Sequence, residues 1–291
     1  KDDLINLARI LYEKNKYEII HEKWFDLGNS ITYLQTKNQD ISSRSFNNLK
    51  YNEKKDTITK TSENSSIISS EIDFYTSIPN KFKRYFPHLL LENNKNKTLL
   101  EMEYISFPNI AEIFLFRKMG PNFWEKLVNS LFYIYEGFYK KSEINQYENL
   151  SWLYSYKLKD RFQDLENNLT NLKCFNMGSI INNETLINKK IRIPSLSKTI
   201  KKILIFLNSF ENSRPLCFGH GDLCFNNILV EPVSISVKLI DPKASKKSSS
   251  GKIGLMDPLY DLAKLNHSFC CLYDSIVNNL FIFEQEQNNI E

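Results

Sequence analysis

The 291-residue sequence has few glycines and few cysteines, eight and five respectively, and its net charge is only +4. The cysteines form no C-x-x-C pair and no zinc spacing, which predicts reduced, mostly buried thiols in a cytoplasmic protein. No apolar run approaches the length of a membrane span, and the charged first residues KDDLINLARI do not form a signal peptide. The small charge gives no reason to expect nucleic acid or a membrane surface as a partner.

Hydrophobic residues make up 42% of the sequence, enough for the core of one large domain or of two lobes. Apolar residues at helical spacing predict a helix over residues 2–20, within an N-terminal extension of residues 1–25. Alternating patterns between polar turns then predict a mostly antiparallel sheet with one inserted helix, in a small lobe over residues 26–106. The expected elements of that lobe are strands at Ile31–Thr36, Ser45–Tyr51, Thr57–Thr61, Leu89–Leu91 and Thr98–Ile105, and a helix at Ser66–Ser77.

The pattern changes after residue 106, and a larger, mostly helical lobe is expected over residues 107–291. The Asn-rich segment Lys173–Pro194 is predicted to be a loop, and short strands are expected at Asn227–Val230 and Val237–Ile240. Amphipathic stretches predict the helices of this lobe. They are Phe123–Tyr139, Trp152–Asn168, Ser195–Phe210 and Leu259–Phe283.

One window, Cys217–Lys243, carries most of the chemical information. Its His220, Asp222 and Asn227 form H-x-D-x-x-x-x-N, and Asp241 follows at the end of the next apolar run. Kinase-type phosphoryl transfer needs a carboxylate beside the acceptor hydroxyl, then an amide and a second carboxylate for Mg²⁺, in this order. We therefore interpret Asp222 as the catalytic base and Asn227 and Asp241 as magnesium ligands, since Mg²⁺ prefers hard oxygen donors. The alternative is that HGD is only a glycine turn and NN only a loop.

This window and the segment after it resemble the aminoglycoside phosphotransferase and choline kinase superfamily. HGDLCFNNIL is similar to that family's catalytic loop, LIDPK to its metal-binding segment and MDPLYDLAKL to the start of a later helix. The resemblance implies a bilobal, protein-kinase-like α+β fold with a small antiparallel-sheet lobe that binds nucleotide, and it implies ATP and Mg²⁺ as cofactors. It also implies that Asp261 braces the catalytic loop. We interpret His220 as a second, structural brace of that loop.

In that family the small lobe supplies a lysine for the nucleotide phosphates and a glutamate that pairs with it. Lys60 is the best candidate, because residues two apart in a strand share one face and Lys60 therefore lies on the same face as Ile58, toward the expected cleft. Glu71 on the next helix is expected to pair with Lys60 and to hold it against the α- and β-phosphates. The alternative is that both residues are ordinary surface charges. The competing lysines, which lie nearer to turns, are Lys50, Lys54 and Lys55.

The strand LLEMEYI resembles the family's hinge between the two lobes. The resemblance implies that Met102 backs the adenine of ATP and that backbone groups of Glu103 and Ile105 read its edge. A plain apolar strand with an exposed glutamate also explains the pattern. The turn TKNQDISSRSF stands where relatives cover the triphosphate, and it lacks a glycine-rich signature.

The acceptor is expected to meet Asp222 from the helical lobe. Lys157 and Arg161 lie one turn apart on one predicted helix face and could clamp an anionic group, although a solvated basic face explains them more simply. The segments WFDLGNSITYLQTK, SRSFNNL and YDLAKLNHSF resemble bacterial phosphotransferases encoded with capsule polysaccharide and surface-glycan genes, some of which follow a sugar nucleotidyltransferase domain. That resemblance implies a sugar-related acceptor. With the missing initiator Met, it also predicts fusion to, or partnership with, such a nucleotidyltransferase.

The sequence therefore predicts an ATP- and Mg²⁺-dependent phosphotransferase that moves the γ-phosphoryl group to a hydroxyl of a small, sugar-related molecule. The alternative is a catalytically silent nucleotide-binding or scaffolding domain that regulates a fused or partner sugar nucleotidyltransferase. The intact catalytic window argues against this alternative, and the glycine-poor turn argues for it. A protein kinase is disfavoured, because no A-P-E-like segment is present and Cys224 stands two residues after Asp222, where protein kinases have lysine.

Overall fold

A computed structural model describes residues 10, 47–90, 98–140, 147–168, 177–188, 190–244, 251–282, 285–286 and 289–290. The predicted helix over residues 2–20, apart from helical Ile10, the strand Ile31–Thr36 and the turn TKNQDISSRSF lie outside these residues. The described part contains a small antiparallel sheet with one helix, followed by a larger, mostly helical part. The predicted α+β fold class is therefore confirmed.

The small sheet contains β1 (Asn47–Asn52), β2 (Thr57–Ser62) and β3 (Leu99–Glu103), which pair antiparallel in the order β1-β2-β3. A tight turn joins β1 to β2. Asp56 in this turn has φ 52°, a left-handed conformation that Asp adopts more readily than most residues. Lys60 lies on β2, the central strand, and therefore has the paired strands β1 and β3 on either side.

Helix α1 (Ser65–Ser77) follows β2, and its ends are encoded locally. The side chain of Asn64 caps the N-terminus by accepting a hydrogen bond from the backbone N–H of Ser66 at 3.1 Å. At the other end, the residue before a proline favours an extended backbone, and Ile78, which precedes Pro79, has ψ 123°. These signals explain why the observed helix differs from the predicted one by a single residue.

The larger part is built from helices with short strand pairs between them. Its helices are α2 (Ile110–Phe116), α3 (Pro121–Lys140), α4 (Ser155–Asn167), α5 (Met177–Asn182), α6 (Leu196–Phe210), α7 (Pro258–Phe269) and α8 (Tyr273–Val277). The antiparallel pairs are β4 (Tyr147–Glu148) with β7 (Arg214–Pro215), β8 (Cys217–Phe218) with β11 (Leu255–Met256), and β9 (Ile228–Glu231) with β10 (Ser236–Leu239). A four-stranded sheet has the order β12 (Gln285–Glu286), β13 (Asn289–Ile290), β5 (Thr185–Ile187) and β6 (Ile191–Ile193).

Five phenylalanines join α1 to the larger part. Phe74 of α1 and Phe82 both stack on Phe218 of β8, with ring centroids 5.7 and 5.1 Å apart. Phe138 of α3 and Phe86 meet the same ring edge-on. All five side chains are buried, and burial of a phenylalanine stabilises a fold by about 1.5–3 kcal/mol. Because Phe218 ends β8, this cluster fixes the point at which the loop carrying the HGD motif begins.

Three predicted elements are wrong in part. The segment predicted as a loop over Lys173–Pro194 contains α5, β5 and β6, of which β5 pairs with β13 near the end of the chain. The predicted strand Leu89–Leu91 is represented among the described residues by a single bridge between Leu89 and Met102. The predicted helix Leu259–Phe283 is two helices, because the chain leaves the helical conformation after α7 and Leu272 adopts a left-handed φ of 51°.

Of the four cysteines that the structure describes, two are buried as predicted and two are not. Cys217 and Cys224 are buried free thiols, whereas Cys270 and Cys271 are exposed and free. The exposed pair lies at the break between α7 and α8, where the chain turns away from the core. No helix among the described residues is both long and apolar enough to cross a bilayer.

Candidate active site

The HGD loop, residues 219–227, runs between β8 and β9 with its backbone pressed against another segment. The N–H groups of Lys243 and Ala244 both donate to the carbonyl oxygen of His220, at 2.8 and 3.1 Å. Gly221 has φ 80°, and a Cβ atom there would lie 2.6 Å from the nitrogen of Ala244. Only glycine combines this left-handed conformation with so close an approach of two backbones.

Asp261, in the first turn of α7, holds this loop through its backbone N–H groups. Its side chain is 3% exposed, and its two oxygens accept from the N–H groups of His220 at 2.6 Å and Gly221 at 2.8 Å. Burial raises the pKa of Asp261 to about 6, although the backbone N–H groups act in the opposite direction. The contacts are those of a loop brace, the role that the family resemblance implies for this residue.

His220 is fully buried and braces the loop from inside. Its Nε2 lies 2.9 Å from the carbonyl oxygen of Ile240, and its Nδ1 accepts from the N–H of Asp222 at 3.2 Å. Since a carbonyl oxygen can only accept, the proton belongs on Nε2. Burial lowers the pKa of His220 to about 4, so the imidazole is neutral at pH 7. This geometry suits a structural role.

Asp222 and Asn227, which we predict to be base and metal ligand, are in direct contact. The Nδ2 group of Asn227 donates to the backbone carbonyl of Asp222 at 2.9 Å and to its Oδ2 atom at 3.2 Å. A one-turn 3₁₀ helix at Phe225–Asn227 brings the chain back over the loop. The backbone carbonyl of Asn227 then accepts from Ile240, one residue before Asp241. The two predicted metal ligands therefore lie on neighbouring, hydrogen-bonded backbone.

Lys60, Glu71 and Asp241 form an ion cluster at the boundary between the small sheet and the larger part, in which Lys60 and Glu71 are buried and Asp241 is 32% exposed. The Nζ atom of Lys60 lies 2.7 Å from Oε2 of Glu71 and 2.8 Å from Oδ1 of Asp241. Burial lowers the pKa of Lys60, but the two carboxylates outweigh it and the net shift is upward. Burial likewise would raise the pKa of Asp241, whereas Lys60 and Lys243 lower it to about 2. The competing lysines on β1 and its turn are exposed.

The donor chemistry of the site suits a magnesium ion. Within the described ranges, no three or more His, Cys, Asp and Glu side chains cluster as a metal site, so such an ion would need the amide of Asn227 as well. Asn227 makes its contacts to Asp222 through Nδ2, which leaves the carbonyl oxygen Oδ1 for a cation. Both ion pairs of Asp241 use Oδ1, which leaves Oδ2. An amide and a carboxylate oxygen are hard ligands of the kind Mg²⁺ takes.

The predicted hinge residues lie on and just after β3. Met102 is buried in the core shared by the sheet and the helices, where it pairs with Ile58 of β2. The N–H of Glu103 donates to the carbonyl of His88 at 2.9 Å, so this donor is already in use. Ile105 follows the strand and is half-buried. Of the two backbone groups of Glu103, only its carbonyl remains for a nucleotide.

One residue of the site has no counterpart in the sequence-based prediction. Lys264 of α7 places its Nζ atom 2.8 Å from Oδ1 of Asp222. Its position three residues after Asp261 is the signal that could have found it, because residues three apart share one helix face. The predicted pair Lys157 and Arg161, by contrast, does not converge: Lys157 donates to Tyr260 at 2.6 Å, and exposed Arg161 pairs with Asp164 of its own helix.

No protein-family model matches this sequence, and no curated protein matches it. Similar solved structures are aminoglycoside phosphotransferases at low identity. An aminoglycoside-3'-phosphotransferase of type VIII is 16% identical, with a TM-score of 0.41 over 75% of this chain and 71% of that one. The streptomycin-ATP-APH(2")-IIa ternary complex is 15% identical, with a TM-score of 0.43 over 82% and 75%. APH(3'')-Id from Streptomyces rimosus is 13% identical, with a TM-score of 0.44 over 88% and 90%.

Proposed function

We propose that the protein is an ATP-dependent phosphotransferase that moves the γ-phosphoryl group to a hydroxyl of a small, sugar-related molecule. The observation that carries the proposal is the contact of Lys60 from the sheet with both Glu71 from α1 and Asp241 from the segment after β10. The same segment is hydrogen-bonded to the HGD loop, which carries Asp222 and Asn227. Phosphoryl transfer depends mainly on positioning and on charge stabilisation, and these groups supply both.

In this proposal Asp222 is the catalytic base. It accepts the proton of the acceptor hydroxyl as the hydroxyl oxygen bonds to the γ-phosphorus in line, while the bond from that phosphorus to the β–γ bridging oxygen breaks and ADP leaves. Lys60, held by Glu71, contacts the α- and β-phosphates as a fixed positive charge. Asn227 and Asp241 would hold Mg²⁺, which when bound neutralises charge on the triphosphate.

The adenine is proposed to lie against β3 and the residues after it. Met102 would back the ring, and the carbonyl of Glu103 and the backbone of Ile105 would read its edge. The carbonyl of Glu103 is the natural acceptor for an adenine amino group, because the N–H of Glu103 already donates to His88. Residues 26–106 would then form the nucleotide-binding lobe and residues 107–291 the lobe that holds the catalytic loop, the metal ligands and the acceptor.

We assign the acceptor to the sugar-related alcohols on the resemblance of three segments to glycan-associated phosphotransferases. The same resemblance leads us to propose a cytoplasmic enzyme that works beside, or fused to, a sugar nucleotidyltransferase. Such an enzyme needs its small substrate to bind and leave freely. The side chains of Asp222 and Lys264 are 22% and 31% exposed, so a small acceptor can reach them from solvent.

The test is ATP consumption by the purified chain with Mg²⁺ and a panel of sugars, amino alcohols and aminoglycosides. We expect turnover with at least one sugar-related alcohol, and a loss of about 10²–10⁴-fold in kcat for Asp222→Asn with nucleotide affinity largely kept. Asp164→Asn, a change of the same type at an exposed site on α4, is the control and should leave turnover unchanged. Nucleotide binding without turnover on any acceptor would instead identify a silent nucleotide-binding domain.

A further inference from the structure

Lys264 and Asp222 form an ion pair, and Lys264 has no role in the reaction as proposed above. The Nζ atom of Lys264 lies 2.8 Å from Oδ1 of Asp222, while Oδ2 of the same carboxylate accepts from Nδ2 of Asn227 at 3.2 Å. Each carboxylate oxygen therefore has its own donor. A carboxylate held at both oxygens has a fixed plane, which a single contact would not give it.

Helix α7 is itself anchored to the loop that carries Asp222. Asp261 binds the backbone of that loop through two hydrogen bonds, and Lys264 stands three residues later on the same helix. The start of α7 is pinned as well: fully buried Asp257 accepts from Nε of Arg214 at 2.7 Å and from the hydroxyl of Tyr154 at 2.9 Å. The backbone from which Lys264 reaches Asp222 is thus held in place by a braced helix.

The environment of the pair differs from that of an ordinary surface salt bridge. The two side chains are 31% and 22% exposed, against 75% and 61% for the pair between Arg161 and Asp164. Burial lowers the pKa of Lys264, but the hydrogen bond and the charge of Asp222 outweigh it and raise the pKa overall, so the ammonium stays charged. Exposed pairs contribute little, whereas partly buried pairs with short contacts hold their geometry.

We propose that Lys264 is a positioning residue for the phosphotransferase reaction proposed above, on which this inference rests. It fixes the orientation of Asp222 toward the acceptor hydroxyl and places a positive charge beside the acceptor oxygen. When that oxygen bonds to the γ-phosphorus, its proton passes to Asp222 and the bond to the β–γ bridging oxygen breaks. The ammonium of Lys264 stays protonated throughout and balances the negative charge of the phosphoryl group as it reaches the acceptor.

The experiment compares Lys264→Met, Lys264→Arg and the wild type with Mg·ATP and the best acceptor of the panel. A misplaced reacting group costs up to about 10²-fold, so we expect kcat of Lys264→Met to fall by about 10²-fold with the KM for ATP within about twofold. Lys264→Arg should recover most of this loss, because it restores the cation. Arg117→Met removes another half-exposed cation, paired with Glu112 at 3.5 Å, and should leave kcat unchanged.

Two results would overturn the proposal in distinguishable ways. If the wild type turns over and Lys264→Met keeps the same kcat, or Lys264→Arg recovers none of the loss, the role of Lys264 is refuted and the proposed function is not. No wild-type turnover with any acceptor would refute the proposed function and the role of Lys264 with it. Thermal unfolding of each variant separates a folding defect from a kinetic one. If Lys264→Met does not fold, Lys264→Gln takes its place, with the same expected loss in kcat.

Discussion

The ammonium of Lys60 lies 2.8 Å from the carboxylate of Asp241, although 181 residues separate the two in the sequence. This contact joins the central strand of the small sheet to the segment that follows β10. Glu71 and Lys243 complete the group, so that two cations and two carboxylates neutralise one another before any phosphate binds. The arrangement keeps Lys60 charged in a place where its side chain is only 7% exposed.

The first prediction concerns this buried pair. Lys60→Met removes the cation and leaves the buried carboxylate of Glu71 without its partner, and breaking a buried pair costs about 3–5 kcal/mol. We therefore expect a loss of that order in the free energy of unfolding, measured by urea denaturation at pH 7. ATP affinity, measured by titration calorimetry, should fall as well, because the fixed charge for the phosphates is gone.

The double variant Lys60→Met/Glu71→Leu is the control for this prediction. With both charges replaced by apolar side chains, most of the lost stability should return, while ATP affinity stays low. A double variant as unstable as Lys60→Met would show that the loss comes from packing at Lys60 and not from the unpaired carboxylate.

Local sequence signals predicted the positions of the site residues better than the contacts among them. The H-x-D-x-x-x-x-N spacing sets Asp222 and Asn227 within one loop, and that loop is indeed closed by their hydrogen bonds. Strand alternation and distance from the turns favoured Lys60 over the competing lysines, and Lys60 is buried whereas those lysines are exposed. Lys264 was missed because its one signal, a position three residues after Asp261 on the same helix face, does not by itself distinguish a solvated lysine from one held against a carboxylate.

The fold departs from the prediction where the structure depends on distant partners. β5 and β6 are three residues each and lie in an Asn-rich segment, and β5 is paired by β13 from the end of the chain. No local pattern encodes such a pairing. The break after α7 is equally hidden, because Cys270, Cys271 and Leu272 continue the apolar pattern and no proline or glycine marks the end of the helix.

The second prediction is an acid-sensitive contribution from His220. Its pKa is about 4 in the folded chain and 6.5 in the unfolded chain, so the unfolded state takes up the proton first as the pH falls. This residue alone should remove about 3 kcal/mol of stability between pH 6.5 and pH 4. His220→Gln does not titrate and keeps a donor for Ile240. Urea denaturation across this pH range should therefore show a smaller acid-induced loss in His220→Gln than in the wild type.

The third prediction is an opposite contribution from Asp261. Its pKa is about 6 in the folded chain and 3.8 in the unfolded chain, so the folded state takes up the proton first. Stability from this residue is fully present below pH 3.8 and is lost as the pH rises through 6, by about 3 kcal/mol. In the wild type it offsets the loss at His220. Asp261→Asn should therefore lose more stability between pH 6.5 and pH 4 than the wild type. If the free energy of unfolding of Asp261→Asn and of the wild type changes with pH in parallel, the raised pKa of Asp261 is contradicted.

The fourth prediction separates backbone strain from steric exclusion in the HGD loop. Gly221 and Gly251 have nearly the same left-handed φ, 80° and 79°, but a Cβ at Gly221 meets Ala244 at 2.6 Å, whereas a Cβ at Gly251 meets nothing within 4 Å. Gly251→Ala should cost only the conformational strain of about 1–2 kcal/mol. Gly221→Ala must also push the loop away from the segment that follows Asp241, so we expect a larger loss of stability and a fall in kcat. Urea denaturation and turnover assays measure both, and equal losses in the two variants would show that the close backbone approach at Gly221 does not constrain Asp222.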